Sequence, residues 1–272
     1  MSFLPGVQAP PDDGRSARWY VFRGGRIVLD AGLNPPLWTR EQLGRLIGAA
    51  DTQRHYLGLD DGVQCHALEW PDAVPLPEGL EPVGFREALV ATGPGFFRIA
   101  SQASQLLTWD ATHRFCGRCG ARMDLASGER ARRCPACGLL SFPRVSPAVI
   151  VTVLRGVEIL LGRAHRFAPG MYSVLAGFVE AGESLEECMA REIREETGIE
   201  VEGASYFGSQ SWPFPHSLMV AFTARYRSGE IRIDGSELAD ARWFAPDAMP
   251  ALPPPASIAR RMIDWYLGGG RR

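Results

Sequence analysis

The chain has 272 residues, 46% of them apolar, enough to bury a full core in one large or two modest domains. A formal net charge of −2 excludes a global field that would recruit nucleic acid or membrane, so any such binding has to be local. All 29 basic residues are arginine, which excludes Schiff-base and other lysine chemistry and leaves arginine forks to bind phosphate.

Residues 1–16, rich in Pro, Asp and Gly, are expected to form a mobile tail. β-type residues on both sides of Gly24-Gly25 predict a hairpin over residues 19–30, and residues 55–59 and 63–70 flank Asp60-Asp61-Gly62 as a second one. Residues 85–108 are helix-like, with an interruption near Gly93-Pro94-Gly95. Together these predict an α+β N-terminal domain over residues 17–112. Its His55, Cys65 and His66 match no metal-ligand spacing and read as core or surface residues. A short cysteine module follows over residues 113–143. Beyond it, residues 148–154 read as an apolar strand, Arg155-Gly156 as a turn and residues 157–163 as the partner strand. A strand near residues 172–175 leads into an acidic helix, with further strands expected at residues 201–208, 218–227 and 231–233. Residues 257–267 read as a terminal amphipathic helix. Strands mixed with two helices over residues 144–270 suit a layered α/β domain. No apolar run approaches the roughly 18 residues of a membrane span. The first residues lack a basic-then-apolar secretory pattern, and Gly-Gly-Gly-Arg-Arg is no peroxisomal address. A cytoplasmic protein without a membrane partner is expected.

Cys116-x2-Cys119 and Cys134-x2-Cys137 stand fourteen residues apart, one below the usual zinc-ribbon range. Each short knuckle presents two thiolates, and two knuckles complete a tetrahedral Zn²⁺ site, one ion per chain. Gly117, Gly120 and Gly138 supply the tight turns. Four thiolates leave no open position for water, so the ion is expected to staple a module too small to make its own core. A redox pair would need only one knuckle, and disulfides do not suit the cytoplasm. Arg114, Arg118, Arg122, Arg130, Arg132 and Arg133 surround the module; they suit either RNA phosphates or a solvated basic face.

From Gly177 to Ile199 the chain reads G-F-V-E-A-G-E-S-L-E-E-C-M-A-R-E-I-R-E-E-T-G-I. Ser184 and Glu187 form a capping box, Leu185, Met189 and Ile193 an apolar stripe, and Gly198 the left-handed helix end. Glu192, Glu195 and Glu196 fall at i, i+3 and i+4 on one face, where like charges repel unless a cation sits among them. Hard divalent ions answer that need, and their natural use is hydrolysis of a phosphate ester or anhydride. Arg191, four residues before Glu195, can steady a carboxylate that is not on metal. Cys188 lies beside the stripe and reads as packing. The plain alternative is a solvated acidic helix with ordinary caps.

Ten residues on, Ser209-Gln210-Ser211-Trp212-Pro213-Phe214-Pro215-His216-Ser217 alternates prolines with aromatics. Stiff backbone holds Trp212 and Phe214 in set directions, where they could stack on a flat ring while Gln210 and Ser217 hydrogen-bond to its edge or to a ribose. A proline-punctuated loop with core aromatics fits equally well.

The acidic segment resembles the Nudix box, G-x5-E-x7-R-E-U-x-E-E-x-G-U with U apolar, at every fixed position. The later loop is similar to the S-Q-P-W-P-F-P-x-S signature of NADH pyrophosphatases, with Ser211 in place of proline. That family also carries an N-terminal domain and a four-cysteine zinc ribbon ahead of its Nudix domain, so the resemblance spans most of the chain. It implies a C-terminal α/β/α sandwich with a mixed sheet, and hydrolysis of NADH or NAD⁺ at the pyrophosphate to nicotinamide mononucleotide and AMP. Some bacterial members also remove NAD caps from RNA. It implies two or three Mg²⁺ or Mn²⁺ ions per site, held by Glu192, Glu196, Glu237 and the carbonyl of Ala176, with Glu195 as a further ligand or the base. It implies substrate contacts at Gln210, Ser211, Trp212, Pro213, Phe214, Pro215, His216 and Ser217, stacking of nicotinamide on Phe178, and minor contacts from Ala259 and Glu129. Phe142 stands where the family often has a substrate-touching tyrosine. Family members are homodimers whose sites are completed across the interface. Two other readings stay open: a Nudix hydrolase for ADP-ribose or a nucleoside triphosphate, and a zinc-ribbon RNA-binding protein with an inactive box.

Overall fold

The computed structural model describes residues 3–48, 52–233 and 235–270. The chain divides into two compact units, one holding residues up to Arg144 together with Pro213–His216, the other Val145–Trp212 and the residues from Ser217 onward.

In the first unit, β1 (Leu4–Pro5), β2 (Ala17–Arg23), β3 (Arg26–Leu29), β4 (Leu37–Trp38), β5 (Arg54–Asp60), β6 (Val63–Glu69) and β7 (Glu81–Val83) form one sheet. Its order is β1-β5-β6-β2-β3-β7, with β4 also on β2. Three helices accompany it: α1 (Arg40–Ile47), α2 (Phe85–Ala91) and α3 (Pro94–Thr112). The period-two alternation of β2 is buried on both faces. Trp19 and Val21 join Leu43 and Ile47 of α1 in one cluster, while Tyr20 meets Phe96 and Phe22 meets Phe85 edge-on at 5.0 Å. The hairpins and the broken helix fall where the sequence predicts them. α1 was not foreseen, although Thr39 and Gln42 make a full capping box. The expected tail is corrected in part. Phe3 is buried, and Leu4 and Pro5 pair with Leu59 and Gly58, because β5 would otherwise leave an open edge there.

The cysteine module adds β8 (Asp124–Leu125), β9 (Arg132–Arg133) and β10 (Leu140–Ser141), a small sheet over a cluster of little more than Cys116, Met123 and Cys134. Within this unit Arg132 pairs with the buried Asp110 of α3, whose other oxygen lies 3.2 Å from His55 Nε2.

The second unit is built on β11 (Ser146–Arg155), β12 (Glu158–Ala164), β13 (Leu175–Phe178), β14 (Glu200–Trp212), β15 (Ser217–Ser228) and β16 (Leu238–Phe244). The sheet is mixed, in the order β14-β15-β11-β12-β16, with β11 and β15 parallel and β13 on β11. Val149, Val151 and Val153 of β11 face α4 (Leu185–Thr197), while Ile150 faces α5 (Ile258–Leu267). This is the α/β/α sandwich that the sequence implies. β11 and β12 pair only near their hairpin, which leaves the rest of that edge of β11 to β13.

Two strand expectations are corrected. The strand near residues 172–175 lies at Leu175–Phe178, where the edge of β11 is open, from Val151↔Leu175 to Ala148↔Phe178. Residues 231–233 are not a strand: the Arg232 N–H donates to the Thr197 carbonyl (2.8 Å), and Ile231 and Ile233 pack on the core beneath α4. β16 was not foreseen; its Ala-Asp-Ala stretch has little β character.

Candidate active site and zinc centre

The acidic helix forms because its ends are capped and one side is apolar. Ser184 Oγ accepts from Glu187 N–H (3.2 Å), the Glu187 carboxylate accepts from Ser184 N–H (2.8 Å), and Gly198 closes the helix at φ 72°. Met189 and Ile193 are buried and Leu185 packs beside them, turning Glu192, Glu195 and Glu196 away from that core.

Arg191 has more partners than its spacing suggested. It grips Glu183 with two nitrogens (2.6 and 2.9 Å), reaches Glu192 Oε1 (2.9 Å) and Glu195 Oε2 (3.0 Å), and donates to the Phe178 carbonyl (2.9 Å). These bonds hold the Glu183 carboxyl down at about 2. β13 brings Gly177 under the helix so closely that a Cβ there would sit 1.8 Å from the Glu192 carboxyl carbon. Burial pushes the Glu192 carboxyl above its ordinary range, and the charges of Glu195 and Glu237 add to that push. Glu237, just ahead of β16, therefore lies near the helix although forty-five residues separate it from Glu192. Glu196 Oε2 is shielded from solvent. Glu183, Glu192, Glu195, Glu196 and Glu237 concentrate negative charge at this end of the sheet, with Arg191 set among the first three. Hard oxygen donors at such a patch fit a divalent ion that keeps much of its own water. The carboxylates do not converge on one point as the four cysteines do; among the described residues only the cysteines form so tight a ligand group.

The 210–217 segment divides. Gln210 Nε2 donates to the Ala256 carbonyl (2.8 Å) and its Oε1 accepts from Ile258 N–H (2.6 Å), so its amide caps the start of α5. Ser217 is 3% exposed, and Ala259 is buried on α5. In this arrangement the Gln210 amide is engaged by α5 and Ser217 is largely covered. Ser211 and Trp212 end β14, paired with Leu218 and Ser217. Pro213, Phe214, Pro215 and His216 form the tip, which groups with the first unit and contains a cis Phe214–Pro215 bond. There the Phe214 ring meets Phe85 at 5.6 Å and lies under the Arg86 guanidinium at 3.9 Å. Phe214 is thus engaged by side chains of the protein, as the packing alternative allowed, and Arg86 is a residue that no sequence pattern singled out. Phe178 differs: its carbonyl is tied to Arg191 while its ring is 57% exposed. Ala176 lies in β13 opposite Ile150. Phe142 and Glu129 are exposed residues of the cysteine module, in the first unit.

In the cysteine module the same turn occurs twice. Cys116 N–H bonds to Ala121 O (2.8 Å) and Gly120 N–H to Cys116 O (2.9 Å); Cys134 N–H bonds to Leu139 O (2.9 Å) and Gly138 N–H to Cys134 O (3.0 Å). Gly120 and Gly138 both take φ 75°, a value that favours glycine. The sulfurs of Cys116 and Cys137 are 3.6 Å apart and those of Cys119 and Cys134 3.5 Å, with all four within 4.8 Å. Tetrahedral zinc at a Zn–S distance of about 2.3 Å needs edges of about 3.8 Å, so the four thiols fit the ion. The Arg118 N–H on Cys116 Sγ (3.4 Å), the Cys119 N–H and the neighbouring thiols together lower that thiol to about 6. The six arginines separate. Arg132 and Arg130 are tied inward, to Asp110 and to the carbonyls of Gly6 and Tyr56, while Arg114, Arg118, Arg122 and Arg133 are exposed. Cys188 is buried as packing, its thiol pushed up to about 11 by burial.

A three-layer sandwich carrying this box of carboxylates defines the class of Nudix hydrolases. Comparison with family models gives the NUDIX domain at residues 144–266, the NADH pyrophosphatase zinc ribbon domain at residues 111–142 and the NADH pyrophosphatase-like rudimentary NUDIX domain at residues 16–109. Among curated relatives, a protein of Stutzerimonas stutzeri named NAD-capped RNA hydrolase NudC is 51% identical over 78% of this chain and 76% of its own. Proteins of the same name from Pseudomonas aeruginosa and Chromobacterium violaceum are 49% and 44% identical, the latter over 90% of both chains. The chain belongs to the NADH pyrophosphatase family of Nudix hydrolases, with a zinc ribbon.

Proposed function

We propose that this enzyme hydrolyses the pyrophosphate of NADH or NAD⁺ to nicotinamide mononucleotide and AMP, and that the same site removes NAD caps from RNA. The observation that carries the reading is an exposed aromatic ring, Phe178, on a backbone tied to Arg191 and one residue after Gly177, over which the Glu192 carboxylate sits. An aromatic platform suits a flat base, and the acidic patch suits the cations that accompany a pyrophosphate.

Glu192, Glu196, Glu237 and the Ala176 carbonyl are the groups we assign to two or three Mg²⁺ or Mn²⁺ ions. Such ions, when bound, neutralise the phosphates and lower the pKa of an attacking water. Arg191 keeps Glu183 and Glu195 in place around the helix. Glu195, whose side chain is 61% exposed, is our candidate for a further ligand or for the base; a general base typically adds about 10²–10⁴-fold. Trp212 and the loop to Ser217 shape the substrate side, with Gln210 acting through its hold on α5. Ala259, Phe142 and Glu129 are further proposed contacts, in a cytoplasmic homodimer. No helix among the described residues is long and apolar enough to cross a membrane.

The test is product analysis in ¹⁸O-labelled water with NADH, ADP-ribose and NAD-capped RNA. The expected products are nicotinamide mononucleotide with AMP, and 5′-monophosphate RNA, with one label on the attacked phosphorus. Faster turnover of ADP-ribose than of NADH would replace this reading with the broader Nudix one. Salt-dependent binding of uncapped RNA without hydrolysis of any dinucleotide would replace it with an inactive RNA-binding protein.

A further inference from the structure

We propose that His165 is a positioning residue for Glu237: by holding the Gly235 carbonyl, it sets the backbone that carries the Glu237 carboxylate towards the divalent-ion site. This rests on the reading of Glu237 as a ligand.

Glu237 is exposed and has little packing of its own, so its place depends on the chain that bears it. That chain is the stretch between β15 and β16, residues 229–237. Near its start, Arg232 N–H is bonded to the Thr197 carbonyl, one residue past Glu196 on α4. At its far end β16 begins at Leu238, which is buried and pairs with Ala164, the last residue of β12. The β12–β16 register slips at this point, from Arg163↔Asp240 to Ala164↔Leu238. An extra residue in one strand bends it and re-aims the side chains beside it. His165 follows immediately, and its Nε2 lies 2.9 Å from the Gly235 oxygen. A carbonyl can only accept, so Nε2 carries the hydrogen and donates, in the neutral ring and in the charged one alike. Glu237 is thus bracketed within three residues by two ties to the end of β12: His165 to Gly235 and Ala164 to Leu238. Glu237 sits close enough to Glu192 for its charge to be felt there. Without the first tie, Gly235, at φ 78°, has the backbone freedom to swing the carboxylate away.

The experiment uses the full-length, zinc-loaded protein and measures Mn²⁺ dissociation constants by electron paramagnetic resonance without substrate, alongside melting temperature. His165→Ala is expected to weaken Mn²⁺ binding about fivefold, the scale of one exposed hydrogen bond, with melting unchanged. His165→Gln keeps a donor of similar reach and should bind within about twofold of the native protein. In a Glu237→Gln background, His165→Ala should add nothing. Native-like Mn²⁺ binding by His165→Ala overturns the proposal. So does equal weakening in His165→Ala and His165→Gln, or an undiminished effect in the Glu237→Gln background. A native protein that binds Mn²⁺ but leaves NADH intact would sink the proposed substrate and not this role.

Discussion

Gly177 and Glu192 occupy almost the same space: a Cβ on the glycine would lie 1.8 Å from the glutamate's carboxyl carbon and 2.0 and 2.2 Å from its oxygens. The glycine is required there by close approach, since hydrogen is the only substituent that leaves the carboxylate its place. Gly177→Ala should therefore displace Glu192 while leaving the buried face of α4 packed. Turnover of NADH is expected to fall about 100-fold, the scale of a misplacement of about 1 Å, with melting lowered by only a few degrees. Full turnover in a folded Gly177→Ala protein would show that Glu192 need not sit there.

Glu183 gives the protein an acid-sensitive contribution. Arg191 holds its carboxyl at about 2, against an ordinary 4.5, with help from the Glu180 N–H. A group whose pKa is lower folded than unfolded stabilises above its unfolded value and loses that contribution as pH falls through the folded one. The difference in urea midpoint between native protein and Glu183→Gln should be largest above about pH 5 and should shrink steadily towards pH 2. A constant difference across that range would mean that the pair contributes through shape alone.

Gln210 is expected to act on stability first. Gln210→Leu leaves the Ile258 N–H and the Ala256 carbonyl without their partner, at a cost of roughly 1–3 kcal/mol for the unsatisfied groups. Melting and kcat/KM should fall together, because α5 supplies much of the core on one face of the sheet. A raised KM with unchanged melting would instead return Gln210 to direct contact with the substrate.

The cysteines should separate into two classes. Burial pushes the thiols of Cys65 and Cys188 up to about 11, so neither should react with a disulfide reagent in the folded chain. Stripping zinc should expose four reactive thiols, release one ion per chain and make residues 113–143 sensitive to protease, since little but Met123 packs there besides the cysteines. Six thiols reacting before denaturant is added would contradict the packing of Cys65 and Cys188.

Much of the site is legible in residue spacing alone. The capping box at Ser184, the stripe through Met189 and Ile193 and the repeated cysteine knuckles arise from contacts a few residues apart, which spacing encodes directly. The strand at residues 231–233 failed for the opposite reason: its alternation of isoleucines is real, but the partner for Arg232 is a helix end. α1 and β16 are hard to read, one because eight residues with only Leu43 and Ile47 buried carry too short an apolar period, the other because alanines and aspartate hide a strand that its neighbour imposes.

The chain alone settled the chemistry on offer: four thiols for zinc, a helical face of carboxylates, and the order of the domains. Which groups meet was left to the packing. The sheet slides Gly177 beneath Glu192, the end of β12 reaches Gly235, and α5 takes up the amide of Gln210. Local geometry follows from residue spacing because the backbone repeats, whereas these encounters join positions fifteen to seventy residues apart, where only the filled core determines distance.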